Sequence, residues 1–364
     1  MNGGSGGHSD ENLQQSDRHQ RFLHLHLDET CTDFGRCNVP QKKKYSFANL
    51  TAHKGTLFIN PSSGARRPAG EREVIRAEAS SSGLEVVDIV PGLDIAALFR
   101  QQMDRGRKLF VAAGGDGTIN HVVQPLVQHP EAVLGVVPIG TYNHFARDLG
   151  IPLDWREALE VIASGEIKQI DAGRINQRFF VNNVSLGAYP ELVARREERG
   201  RDYPRWKARL YAFRTTLRTL PRVAFAVETA NHREAVRTNL FMVSNNSYDL
   251  SRMGIEASRE TLESGRLSVY WLPDLPRWEL MRFVAHYLTG NVRTAPGFRQ
   301  FRTSQMKIYS PKKEMRVAID GEVFGIATPL VITIVPLSLT VRVPRPGQID
   351  TITANRRSSR SERS

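Results

Sequence analysis

From position 55 onward the chain alternates between short apolar runs and stretches that read as helices. GTLFINP (55–61), LEVVDIV (84–90), KLFVAAGG (108–115) and AVLGVVPIG (132–140) have the form of buried strands. Between them, EREVIRAEASS (71–81), DIAALFRQQMDRG (94–106) and TINHVVQPLVQ (118–128) are predicted helices; Gly106 ends the second, and Pro125 is expected to end or kink the third. A further helix is expected at about 154–164. Short apolar strands alternating with helices predict an α/β domain with a parallel sheet covered on both faces.

The pattern changes from about residue 168. RFFVNNVSL, VAFAVET, TNLFMVSNN, RLSVYWL, QMKIYS, RVAID, LVITIV and LTVRV are short strand-like segments separated by turn signals, as in an all-β sandwich. Two helical insertions are expected, at about 203–220 and 276–289. The reading is therefore an α/β domain over 54–165 and a β-sandwich domain over 166–346. Residues 1–53 read as a disordered leader and 347–364 as a disordered basic tail, because both are mostly polar and have little to bury.

Composition narrows this only in part. The 364 residues carry a net charge of +12, which favours an anionic partner: a nucleic acid, a phosphorylated substrate or an anionic membrane surface. The two cysteines, Cys31 and Cys37, lie in the leader, so no disulfide framework is expected in the core. No signal peptide or membrane-spanning run is visible, and a cytoplasmic location is expected, with peripheral contact to the inner membrane surface.

The candidate chemistry lies where strands end. In parallel sheets ligands bind beyond the carboxyl ends of the strands. NPSSG (60–64), GGDG (114–117) and PIGT (138–141) all fall there, so three loops converge on one edge. The glycine loop lacks the third glycine of a dinucleotide fingerprint and the lysine of a Walker loop. It still exposes backbone N–H groups at a helix start, where phosphate is favoured, and Thr118 adds a hydroxyl. Asp116 repels phosphate unless a cation or a hydroxyl proton intervenes, which points to Mg²⁺ or to an activated acceptor hydroxyl. The simpler alternative is a tight turn in which Asp116 caps the helix.

FINPSSG (58–64), GGDGTIN (114–120), PIGTYNHFARDLGIP (138–152) and AIDGEV (318–323) occur in the order and spacing of the diacylglycerol kinase catalytic family. The chain resembles that family over about 55–345, including LFMVSNNSY (240–248) and ESGRLSVYWLP (263–273). The resemblance implies a two-domain lipid kinase that uses ATP and Mg²⁺, with an α/β nucleotide-binding domain, a β-sandwich lipid-substrate domain and the active site in the cleft between them. Its nucleotide phosphates would meet Asn60, Pro61, Ser62, Ser63 and Gly64, the loop Gly114, Gly115, Asp116, Gly117, Thr118, Ile119 and Asn120, and Thr141 and Asn143. Across the cleft, Glu322 or Asp320 would be the general base; Glu322 is favoured, with the other helping to hold Mg²⁺ or the loop. On its own residues, AIDGEV also reads as a plain hairpin turn.

Two positions depart from the family pattern. His144 stands where Asp is common and could bond the substrate or the Asp116 region. Ser264 stands where an acidic residue is common, at a bend that in bacterial relatives carries a structural Mg²⁺; no ion is assigned there. The stretch 195–222 is the most basic, and Trp206, Leu210, Phe213, Leu217 and Leu220 form a helical stripe that fits either a membrane surface or the β domain. Three functions follow. They are a kinase of diacylglycerol or a related lipid, a soluble phosphotransferase resembling NAD kinase, and a non-catalytic basic nucleic-acid-binding protein. The joint presence of PIGTYNHFARDLG and DGE favours the first, and no nucleic acid is expected as a partner.

Overall fold

Buried on two faces, a parallel strand has no polar side to alternate with, and the first half of the chain folds on that rule. The computed structural model describes residues 55–63, 70–187, 222–230, 232–245, 262–274 and 299–351, together with 190, 276 and 279. Strands β1 (Gly55–Ile59), β2 (Leu84–Asp88), β3 (Leu109–Gly114) and β4 (Val133–Pro138) form a parallel sheet in the order β2-β1-β3-β4. Every residue of β1, β3 and β4 is buried.

Helices cover both faces. On one, Ile75 and Ala79 of α1 (Glu71–Ser81) and Trp155 and Ile162 of α5 (Trp155–Ser164) pack with Leu57, Val111 and Val137. On the other, Phe99 of α2 (Ile95–Asp104) and Ile119, Val122 and Leu126 of α3 (Asp116–Leu126) pack with Phe58, Phe110 and Val136. The caps follow the sequence. Asp94 Oδ1 accepts from Ala97 N–H at 2.9 Å, and Asp154 Oδ1 accepts from Arg156 N–H at 2.9 Å. The α3 helix runs one residue past Pro125, so the proline ends it. A short helix, α4 (His144–Asp148), was not foreseen.

The rest of the described chain is antiparallel and β-rich, as the strand-like segments imply: β5 (Glu166–Ile175), β6 (Arg178–Phe180), β7 (Asn183–Gly187), β8 (Val223–Glu228), β9 (Arg233–Ser244), β10 (Leu267–Pro273), β11 (Arg299–Thr303), β12 (Gln305–Tyr309), β13 (Glu314–Ile319), β14 (Glu322–Ala327) and β15 (Leu330–Val343). The first half of β9 pairs with β8, and its second half lies between β7 and β10. Phe180, Leu186, Phe241, Val269, Met306, Val317 and Ile332 form the core of this half.

Two segments differ from the sequence reading. LVITIV and LTVRV are one strand, β15, with a register shift between Val335 and Leu339, where Leu337 takes φ 49°. Its first part pairs with β12, and Thr340 and Val341 run parallel to Val133 and Leu134 of β4. The last residues of β15 therefore extend the sheet of the α/β half, and the strand joins the two halves. Asp171 supports the irregular step by accepting from Leu337 N–H (2.9 Å) and Gly265 N–H (2.6 Å); burial raises its pKa. The second difference is RFFVNNVSL, which divides into β6 and β7.

The expected helix at 203–220, nearly all of that at 276–289, the leader 1–53 and most of the basic tail lie outside the described residues. Among the described residues no helix is long and apolar enough to cross a membrane.

Candidate active site

The carboxyl ends of β1, β3 and β4 bring the three sequence loops together, as their positions in a parallel sheet require. After β1, Asn60 folds into a turn in which its Oδ1 accepts from Ser62 N–H at 2.9 Å. Its Nδ2 donates to Thr118 Oγ1 at 3.1 Å, and Ser63 Oγ lies 3.4 Å from the same hydroxyl. Asn60, Ser63 and Thr118 are thus one polar cluster, drawn from loops 55 or more residues apart. Gly64 lies outside the described residues.

Glycines let the second and third loops touch. Ile139 and Gly140 both donate their N–H to Gly114 O, at 3.0 and 3.1 Å. A Cβ on Gly140 would collide with the Cα of Gly115, so neither loop has room for a side chain at the crossing. Asn143, at φ 52°, starts α4 and donates from Nδ2 to Gly140 O at 3.1 Å. Its Oδ1 is buried without a partner, an acceptor aimed into the loop cluster. Thr141 is exposed beside it.

Asp116 does not cap α3. Gly115 is the cap residue, and Asp116 Oδ1 accepts from Phe145 N–H at 3.1 Å, tying the start of α3 to the start of α4. His144 makes no hydrogen bond to Asp116, whose Oδ1 is taken by the next residue's N–H. Its ring is exposed and stacked on Tyr142, with centroids 5.7 Å apart and planes within 10°.

Two of the expected nucleotide contacts are placed elsewhere. Ile119 is fully buried in the core beneath α3, and its N–H is bonded to Gly115 O. Asn120 is 6% exposed, with its side chain directed away from the loop. Its Nδ2 donates to Phe179 O (3.0 Å) and to Asp320 Oδ2 (2.7 Å), and its Oδ1 accepts from Gln124 Nε2 (2.9 Å).

The opposite wall is the turn between β13 and β14. Asp320 and Gly321 both have positive φ, 47° and 89°, so DGE is indeed a hairpin turn, with Ile319 facing Glu322. The same turn carries two carboxylates in different surroundings. Asp320 is 6% exposed, and both its oxygens are engaged. Oδ1 accepts from Asn182 and Asn183 N–H, each at 2.9 Å, and Oδ2 from Val181 N–H at 2.8 Å as well as from Asn120. Burial pushes its pKa up to about 6, against those hydrogen bonds, which lower it. Two of the three amides, Val181 and Asn182, lie in the gap between β6 and β7, and the third, Asn183, opens β7. A carboxylate has replaced the ladder partners of that segment, which is why RFFVNNVSL breaks there.

Glu322 is half-exposed and faces the glycine loop. Its Oε1 occupies the space where a Cβ on Gly117 would stand. Its Oε2 lies 3.3 Å from His121 Nε2. The described geometry therefore sets one buried, fully bonded carboxylate beside one accessible carboxylate poised over the GGDG loop.

Residues 54–175 match the family model of the diacylglycerol kinase catalytic domain. Two diacylglycerol kinases illustrate the sequence similarity. The chain is 33% identical over 142 residues to the one from Staphylococcus aureus (strain bovine RF122 / ET3-1), covering 38% of this chain and 45% of that one. It is 36% identical over 94 residues to the one from Staphylococcus carnosus, covering 26% and 31%. The matched part thus spans less than half the length of these curated relatives. A crystal structure of a diacylglycerol kinase from Bacillus anthracis str. Sterne superposes with a TM-score of 0.60 at 19% identity, over 81% of this chain and 98% of that one. The fold likeness therefore extends well beyond the sequence-matched segment.

Sequence reasoning missed His121 and Gln124. Both stand on α3 just beyond GGDGTIN, and His121 is one helical turn after Gly117. The i, i+4 relation to a loop glycine was the available signal, since it puts the two on one face.

Proposed function

We propose that the protein is an ATP-dependent lipid kinase that transfers the γ-phosphoryl group to a hydroxyl of diacylglycerol or a related lipid. The observation that carries this reading is the Glu322 carboxylate standing over Gly117. It brings an accessible base to the loop that would cradle the nucleotide phosphates. Phosphoryl transfer to an alcohol needs little else from a protein than positioning, charge stabilisation and a proton acceptor.

In this reading the start of α3 supplies the positive end of a helix dipole, with backbone N–H groups of the glycine loop facing the phosphates. The hydroxyls of Ser63 and Thr118, oriented by Asn60, lie beside them. Asn143 Oδ1 offers an acceptor to the nucleotide or to a water that bridges to it. Glu322 takes the proton of the acceptor hydroxyl as its oxygen attacks the γ-phosphorus and the bond to the β-phosphate oxygen breaks. Asp320 is not the base. Its four hydrogen bonds make it the clamp that holds the DGE turn against α3 and the β6–β7 gap.

The residues fit a magnesium ion carried by the nucleotide. Among the described residues no three His, Cys, Asp or Glu side chains gather into a metal cage. Mg²⁺ held by one carboxylate, waters and substrate phosphates needs none, and Asp116 at the head of the loop would supply the carboxylate. The ion would offset the charge of the transferring phosphoryl group.

The test is transfer of labelled γ-phosphate from ATP, with Mg²⁺, into a total lipid extract by the intact protein, by Asp116→Ala and by Glu322→Ala. A labelled lipid formed by the intact protein and lost in both variants supports the reading, and mass analysis then names the acceptor. No labelled lipid, with label entering NAD instead, overturns it in favour of a soluble phosphotransferase.

A further inference from the structure

We infer that His121 is a positioning residue for the base: it donates from Nε2 to Oε2 of Glu322 and so holds Oε1 over Gly117, where the acceptor hydroxyl must arrive. The inference rests on the lipid-kinase reading for its substrate, but the pairing of the two side chains stands on geometry alone.

A glutamate on an exposed strand end has three rotatable bonds and no reason to keep one carboxylate orientation. Glu322 begins β14, just after a turn whose two residues both have positive φ, and its side chain is 38% exposed. Its aim must be fixed from across the cleft. The α3 face opposite presents Gly117 and, one turn later, His121. Gly117 leaves room for Oε1 because it has no Cβ, and His121 Nε2 lies 3.3 Å from Oε2. The carboxylate is thus bracketed at both oxygens by one helix, and that helix is the one that begins at the phosphate loop. The acceptor's base and the donor's cradle are registered to each other through two side-chain positions four residues apart.

The charges around His121 suit a donor. Glu322 faces it from β14 and Arg178 from β6. The hydrogen bond to Glu322 raises the pKa of the imidazole; burial and Arg178 oppose that. Whether neutral or protonated, the ring can keep a proton on Nε2 toward the carboxylate, so the pair persists across neutral pH. Arg178 is itself held with its guanidinium 4.2 Å over the Phe324 ring, which keeps it beside the pair.

The experiment compares His121→Ala and His121→Gln with the intact protein, measuring kcat and both KM values for phosphate transfer from ATP. The histidine pKa is measured in parallel by NMR in the intact protein and in Glu322→Gln. Gln places an amide donor near the position of Nε2; Ala has none and is well tolerated in a half-exposed helix. The expected result is a fall in kcat of about tenfold for His121→Ala, with KM for ATP unchanged, and recovery of most of the loss in His121→Gln. The NMR arm is expected to show the His121 pKa falling in Glu322→Gln. Equal kcat in His121→Ala and the intact protein overturns the inference. So does a His121→Gln variant as slow as His121→Ala, or an unchanged histidine pKa. An intact protein inactive on every lipid would sink the proposed function instead, while the NMR arm would still decide whether the two side chains pair.

Discussion

Asp320 Oδ2 and Asn120 Nδ2 are 2.7 Å apart across 200 residues of sequence. This bond joins the second turn of the helix behind the glycine loop to the hairpin that carries Glu322. The two sides of the cleft are therefore held by a buried polar clamp as well as by the shared strand β15. A clamp of this kind costs little only while every member is bonded.

Replacing Asp320 with Asn tests the clamp. The amide would point N–H₂ at donors that now meet an oxygen, leaving at least one buried donor unpaired. The expected loss of stability near neutral pH is about 1–3 kcal/mol, read by urea denaturation. Activity should fall further than stability accounts for, because the DGE turn loses its register with α3. An Asp320→Asn protein as stable as the parent would show that the four bonds are not limiting.

The same residue sets a pH dependence. Its pKa is raised in the folded chain, from 3.8 to about 6, chiefly by burial. Between those values the native chain keeps a proton that the unfolded chain has lost. The contribution of this group to stability is therefore fully present below the unfolded value and is lost as pH rises through about 6. The stability gap between the parent and Asp320→Asn should narrow from about pH 4 to about pH 7, as followed by denaturation at fixed ionic strength. A gap that widens over that range would contradict the assignment.

Two glycine substitutions should separate fold from chemistry. A Cβ on Gly140 meets the backbone of Gly115, which cannot yield without moving the loop, so Gly140→Ala is expected to lower stability by roughly 1–3 kcal/mol and to weaken ATP binding. A Cβ on Gly117 meets only the end of the Glu322 side chain, which can swing away. Gly117→Ala should leave the melting temperature nearly unchanged and reduce kcat at least tenfold, by displacing the base. Thermal unfolding and steady-state rates on both proteins distinguish the cases.

Thr118→Val removes the hydroxyl that gathers Asn60 and Ser63 while keeping the shape of the side chain. The Asn60 amide then loses its bond to the loop. The expected outcome is a severalfold increase in KM for ATP with a smaller change in kcat, since the loss falls on nucleotide binding. An unchanged KM would place the nucleotide away from this cluster.

Much of this was written in local sequence. The strands β1 to β4 and the helices between them follow from apolar runs, Asp94 and Asp154 as caps, and glycines after helix ends. These signals act within a few residues, so the chain determines them without knowing its fold. The loops GGDG and DGE were visible for the same reason, as was their resemblance to a kinase family.

Tertiary structure decided how the motif residues divide their work. Asn120 and Ile119 belong to the same written motif as Thr118, yet a helix sends neighbouring side chains to different faces, and only Thr118 faces the cleft loops. Asp320 and Glu322 are two residues apart on a tight turn, so one is buried under three backbone amides and the other stands over Gly117. The pairing of Glu322 with His121, and the return of β15 to the sheet of the α/β half, depend on contacts between distant parts of the chain. No local pattern contains them, because proximity across a cleft is fixed only when both walls are packed.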